Sequence, residues 1–132
     1  MILTFVVKYT KKVLTNVMIC DIINNMKVGI DFYDTITDNP PKFRRLIRNL
    51  QQDGNEVFVI SAIMEYNKHK LQKDFKKSRV YCTLIPVIYE HYNQIPKLKY
   101  DKCIELGIDY LIDNRMDTCQ YLIDRGLKAK CY

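Results

Sequence analysis

Glycine and proline are scarce, at four each among 132 residues. That scarcity excludes a collagen-like or low-complexity chain. Histidine is rarer still. His69 and His91 stand far apart, with no set of other ligand types beside either, so neither predicts a metal site. The five cysteines, Cys20, Cys82, Cys103, Cys119 and Cys131, include no pair at C-x-x-C spacing. An odd count without that spacing argues against a zinc ribbon or a disulfide framework and predicts reduced thiols in a cytoplasmic protein. No apolar run approaches the ~20 residues that cross a membrane as a helix. Near the N-terminus, Lys8, Lys11 and Lys12 follow the first apolar run instead of preceding it, the wrong order for a secretory signal. No internal repeat or low-complexity linker interrupts the chain.

What is present is ordinary globular material. Hydrophobic residues make up 48% and charged residues 27%, and the length suits one domain with a real core. The formal charge of +6 is compatible with nucleic acid or phosphate-bearing partners but decides for neither. Its densest cluster is Lys68, Lys70, Lys73, Lys76, Lys77 and Arg79. The simplest expectation is a solvated helix face, and the sharper alternative is a phosphate-facing patch. The abundance of Lys, Ile, Asn and Tyr is what an A/T-rich genome, such as that of a virus or phage, would encode.

The domain is expected to start near Met26 and to fill residues 26–132. Residues 1–25 are expected to be an N-terminal extension, either a leader or an appended helix. Residues 28–30 form an apolar run too short for a helix and suited to a buried strand. Asn39-Pro40-Pro41 predicts a helix start, and Phe43, Leu46, Ile47 and Leu50 continue it at helical spacing until Asp53-Gly54-Asn55. Residues 56–60 form a second buried strand closing on Ser61-Ala62. Strand, helix, strand with short connections is a βαβ unit and requires a parallel sheet. A helix over 65–77 is expected next, then a strand region over 80–89 broken at Pro86 and a loop over 92–96. A short helix over 99–106, a strand over 108–112, a helix over 116–125 and a last strand over 127–131 complete the pattern. The fold class that follows is α/β: a doubly wound, Rossmann-like, mainly parallel sheet flanked by helices.

In such a sheet the strands' carboxyl ends share one edge, where ligands bind. The first strand brings Asp31, Tyr33, Asp34 and Thr35 there, the second Ser61, and the fourth Asp113, Asn114 and Asp117. Lys97, Lys99 and Lys102 come from a helix start between them. Clustered carboxylates repel one another unless a cation joins them, and hard oxygen ligands favour Mg²⁺. A phosphate ester would find a Lys and a Ser to hold its oxygens and an Asp to attack phosphorus. Each residue also has a plainer reading: Ser61 as a helix cap, Lys99 as a solvated first-turn residue, Tyr33 as packing.

Four motifs occur in order: Val28-Gly29-Ile30-Asp31-Phe32-Tyr33-Asp34-Thr35, then Val59-Ile60-Ser61, then Lys99 or Lys97, then Leu111-Ile112-Asp113-Asn114 with Asp117. Together they resemble the haloacid dehalogenase superfamily, and within it the small phosphatase-like members without a large cap domain. The resemblance implies a Mg²⁺-dependent phosphate monoester hydrolase. Asp31 would be the nucleophile that forms an aspartyl-phosphate. Ser61 and Ala62 would serve the substrate phosphate, Thr35 would hydrogen-bond within the loop and stand among the substrate-binding residues, and Lys99 (or Lys97) would neutralise charge. Asp31, Asp113, the Tyr33 carbonyl and Asp117 would serve the metal, Asp117 as an outer ligand or an orienting group. The substrate would be a phosphorylated small molecule or a nucleotide, with nucleic acid as a further partner and no membrane. Tyr33 departs from the pattern, because phosphatases of this kind usually carry an acid–base Asp two residues after the nucleophile. The resemblance therefore also admits a catalytically silent domain that binds phosphate or a protein. A signalling receiver would carry its acidic pair on the first strand, and here that pair is late.

Overall fold

The computed structural model describes residues 24–132. The expected extension over 1–25 lies, but for its last two residues, outside the described residues. Five strands, β1 (Lys27–Ile30), β2 (Glu56–Ile63), β3 (Thr83–Ile88), β4 (Tyr110–Asp113) and β5 (Lys128–Cys131), form one sheet in the order β3-β2-β1-β4-β5. Every neighbouring pair is parallel. Four helices connect them: α1 (Pro40–Gln52), α2 (Lys68–Ser78), α3 (Ile95–Leu106) and α4 (Met116–Asp124). This is the Rossmann-like α/β fold that the alternating strand and helix pattern implies.

Both faces of the sheet are covered, which is why its central strands read as unbroken apolar runs. On one face Val28, Ile30, Val57 and Val59 pack with Phe43, Leu46, Ile47 and Leu50 of α1 and Leu71 of α2. On the other, Phe58, Ile60 and Leu111 pack with Cys103 of α3 and Leu122 of α4. Asn39 caps α1, its side chain accepting from the Lys42 N–H, and the two prolines occupy the first turn. Gly107, at φ +70°, closes α3 in the left-handed conformation.

Gly29 sits where β1 is most crowded. A Cβ there would lie 2.8 Å from Ile60 Cδ1 and 2.9 Å from Leu111 Cδ1, both on fully buried side chains of the flanking strands. Gly29→Val should therefore cost about 1–3 kcal/mol through overpacking, read as a lower urea midpoint with the slope unchanged.

Several boundaries differ from the sequence-based expectations. β2 runs on through Ser61 to Ile63. β3 is not broken at Pro86: that residue pairs in register with Ser61, and as an edge strand β3 tolerates the missing N–H. The expected loop over 92–96 holds a 3-10 turn (Tyr92–Gln94), and α3 begins at Ile95, four residues early, with Pro96 in its first turn. The expected helix over 65–77 is a 3-10 turn (Glu65–Asn67) followed by α2. Only Leu71 of α2 is buried, so its lysines do form a solvated face. Cys82, Cys103, Cys119 and Cys131 carry no disulfide. Among the described residues no helix is long and apolar enough to cross a membrane.

Candidate active site

β1 and β4 are neighbours at the centre of the sheet, and the chain leaves them towards opposite edges. That reversal opens a crevice at their carboxyl ends. The backbone closes it tightly: the Asp31 N–H donates to the Ile112 carbonyl at 2.8 Å, setting the residues after both strands side by side. Asp31 is 6% exposed and Asp113 fully buried. Between them comes Lys99, one turn into α3 and 2% exposed. Its Nζ donates to Asp31 Oδ1 at 2.8 Å and to Asp113 Oδ2 at 2.5 Å.

The remaining carboxylate oxygens are also engaged. Thr35 Oγ1 donates to Asp31 Oδ2 at 3.2 Å, and the Arg115 N–H donates to Asp113 Oδ1 at 2.9 Å. Thr35 is fully buried and does not line the cavity. It makes the hydrogen bond within the loop that was expected of it and positions Asp31, and it stands apart from the substrate-binding residues with which it was grouped.

Two carboxylates face one ammonium, so the buried trio carries a net negative charge. Burial pushes the Asp31 carboxyl up to about 6; Lys99 opposes that rise and Asp113 adds to it. Burial alone would lower the Lys99 pKa, but the two carboxylates outweigh it and hold the ammonium above its usual range. The two directions are compatible because Lys99 has two anionic partners while Asp31 has one cationic and one anionic neighbour. For an acid raised in the folded state, stability is fully present below the unfolded pKa and falls as pH rises through the folded one. Asp31→Asn in chelator-treated buffer should accordingly raise stability near neutral pH by roughly 1–3 kcal/mol. Below about pH 4 that gain should vanish, and urea titrations at the two pH values check it.

A cavity of about 410 Å³ opens onto Asp31 and Lys99, lined among others by these two and by Ser61, Ala62, Asn114 and Arg115, with Asp113 buried behind them. Ser61, 1% exposed, reaches it because β2 extends past the residue. The structure thus brings Asp31, Ser61, Ala62, Lys99 and Asp113 together. It leaves out Lys97, which is exposed on α3 and bonded to Asp101 at 2.7 Å. Lys102 also lies outside, paired with Glu105. Asp117 is not at the carboxylate pair. It holds Arg115 in a fork, accepting from Nε at 3.0 Å and from Nη2 at 2.6 Å. It stands as the orienting group for a guanidinium on the cavity wall and not as a direct metal ligand.

Tyr33 lines the cavity, but its hydroxyl donates to Asp74 Oδ2 on α2 at 2.6 Å. Burial first, and the Asp74 carboxylate second, hold the phenol well above its usual range. It therefore keeps its proton near neutral pH, held on Asp74, and is a poor general base. Asp34 also lines the cavity, in the left-handed conformation at φ +62°.

The oxygen donors of Asp31 and Asp113, beside the carbonyl end of β1, suit a hard cation that keeps most of its water. A further positive charge there would offset the net charge of the trio. Among the described residues, no group of three or more His, Cys, Asp or Glu side chains could hold an ion by itself. Mg²⁺ does not need such a cage, being commonly bound through one or two carboxylates with substrate phosphate.

Sequence reasoning missed part of the wall: Met64, Asn67, Tyr89, Tyr92 and Arg115; Lys70, from the basic cluster already singled out, lines it too. Arg115 was within reach, lying between two residues already singled out. Tyr89 and Tyr92 follow β3, the strand whose end was discounted because of Pro86.

No known family's sequence profile matches the chain, and no curated protein matches it. Solved structures do. A chain from a structure titled "Structure of Pnkp1/Rnl/Hen1 complex" has a TM-score of 0.65 and 13% identity over 85% of this chain. This chain spans about half of that one, 47% of its length. A universal stress protein in complex with cAMP has a TM-score of 0.54 and 10% identity, with 80% of this chain and 94% of that one covered. At such identities the likeness is one of fold, and the fold it shows is the Rossmann-like α/β sheet.

Proposed function

We propose that the chain is a Mg²⁺-dependent phosphate monoester hydrolase of the haloacid dehalogenase type, working through an aspartyl-phosphate on Asp31. The observation that carries this reading is the buried Asp31–Lys99–Asp113 trio, whose Asp31 and Lys99 line a cavity that Ser61 also lines. An Asp and a Lys in contact at the carboxyl end of the central strands are what attack on phosphorus requires: a nucleophile and a fixed positive charge.

In this reaction an Asp31 carboxylate oxygen forms a bond to phosphorus as the ester oxygen leaves with the bonding pair and takes up a proton. Water then attacks the acyl-phosphate, releases inorganic phosphate and restores the carboxylate. Lys99 and the Ser61 hydroxyl stabilise the charge on the transferring oxygens. Thr35 holds the Asp31 carboxylate in orientation. Asp31, Asp113 and the Tyr33 carbonyl would hold Mg²⁺, which supplies Lewis-acid neutralisation of the phosphate charge when bound.

A second reading is favoured by one contact. The commitment of the Tyr33 hydroxyl to Asp74 leaves the usual acid–base position without a usable proton, as a catalytically silent phosphate-binding domain would. Hydrolysis of an aryl phosphate with and without Mg²⁺, beside Asp31→Asn, separates the two. The expected result is slow, Mg²⁺-dependent turnover that Asp31→Asn abolishes. Turnover that survives Asp31→Asn would remove Asp31 as nucleophile. No turnover, with phosphate still bound, would select the silent domain.

A further inference from the structure

Asp31 and Lys99 occupy the floor of the cavity, and its mouth has a different chemistry. Tyr89 and Tyr92, just past β3, place their rings 5.4 Å apart at a tilt of 38°. Tyr92 is 70% exposed, and both it and Tyr89 line the cavity. The Arg115 guanidinium lies 5.6 Å from the Tyr92 ring centroid, fixed by the Asp117 fork. Lys70 and Asn67 complete the same wall.

These tyrosines are not explained by the core. Among the described residues, neither hydrophobic cluster contains Tyr89 or Tyr92. Large rings kept in water beside a cavity are suited to a flat apolar group. An arginine stacked on one of them adds positive charge at the same height above the floor. A flat ring system joined to a phosphate is the chemistry of a nucleotide. Aromatic side chains stack nucleobases without regard to sequence, and neighbouring Arg and Lys meet the phosphate charge. The Asn67 amide offers both a donor and an acceptor to a base edge. The cavity volume lies within the ordinary range for small-ligand sites.

We infer that the mouth of the cavity is a nucleobase-stacking platform, with Tyr92 as its principal ring and Tyr89 and Arg115 beside it, and that the ligand whose phosphate reaches Asp31 is a nucleotide. The inference rests on the reading of the floor as a phosphate site. The nucleotide has two possible sources, a free mononucleotide or the phosphate-bearing end of a single strand.

Equilibrium binding tests this without turnover, using the full chain carrying Asp31→Asn. The probes are thymidine monophosphate, a short oligothymidylate ending in the same phosphate, glucose 6-phosphate and inorganic phosphate. Thymidine monophosphate should bind at least about 10-fold more tightly than either base-free probe, the difference being the stacking contribution. Tyr92→Ala should remove roughly 10–100-fold of affinity for it, and Tyr92→Phe should retain most of that affinity. Tyr81→Ala, an equally exposed tyrosine outside this cavity, should change nothing. An oligothymidylate that binds more tightly than the mononucleotide, with a steep salt dependence, supports a strand end; equal affinities support the free nucleotide. Equal binding of glucose 6-phosphate and thymidine monophosphate would overturn the inference, as would an unchanged affinity in Tyr92→Ala. The two readings fail separately. A chain that hydrolyses aryl phosphate but ignores the base loses the platform alone. A chain that binds thymidine monophosphate through Tyr92 but hydrolyses nothing loses the hydrolase alone.

Discussion

Lys99→Met is expected to cost the fold about 3–5 kcal/mol, because it removes the single cation from a buried pair of carboxylates. Lys99 is 2% exposed and reaches both Asp31 and Asp113, and among the described residues neither carboxylate has another ammonium or guanidinium side chain bonded to it. Methionine fills the same volume without the charge, so the loss is electrostatic and not a cavity. The anions left behind have one escape, which is to bind a proton. The deficit should therefore be largest near neutral pH and shrink on acidification, as the carboxyls protonate. Urea unfolding at the two pH values reads this directly. The double variant Lys99→Met/Asp31→Asn supplies the control: with one carboxylate neutralised, a substantial part of the loss should return, giving a coupling free energy well outside the error of additivity. A Lys99→Met variant as stable as the parent at neutral pH would mean that Lys99 does not hold the pair together.

That trio was partly legible in the sequence. Asp31, Ser61 and Asp113 each follow or end an apolar strand, and in a parallel sheet those positions converge. The choice between Lys97 and Lys99 was not legible, because it depends on helix phase. α3 begins at Ile95, with Pro96 in its first turn, and that start turns Lys99 inward and Lys97 to solvent. Read as a loop, Pro96 hid the phase. Pro86 misled in a similar way: a proline inside a strand pattern suggests a break, but at the sheet edge its missing N–H has no partner to lose. The tyrosines beyond that strand were lost with it. Arg115 and Asp117 lie two residues apart, and the sequence alone does not say that they grip each other and not a metal. The bond between Tyr33 and Asp74 joins residues 41 positions apart, and no local pattern announces such a contact.

Tyr33→Asp is expected to raise the rate of alkyl phosphate hydrolysis by about 10²–10⁴-fold, the ordinary worth of a positioned acid–base group. In the parent that position contributes no proton. The phenol is bonded to Asp74 at 2.6 Å, and Lys70 donates to the same Asp74 oxygen at 2.7 Å. A carboxyl two residues after Asp31, the proposed nucleophile, would be on the cavity wall, in a position to protonate a leaving oxygen and then activate water. The gain should depend on the leaving group. An alkoxide leaves poorly without a proton, whereas an aryl oxide leaves well, so the ratio of alkyl to aryl turnover should rise in the variant. Tyr33→Phe provides the contrast. It also breaks the contact with Asp74 but introduces no acid, so its rate should stay at the parent level. If Tyr33→Phe accelerated hydrolysis as much as Tyr33→Asp, the effect would belong to loosening of the contact between the β1 loop and α2. If neither variant changed the rate, the proton would have to come from elsewhere on the wall. Asp34, held at φ +62° and lining the same cavity, is the acid placed to supply it.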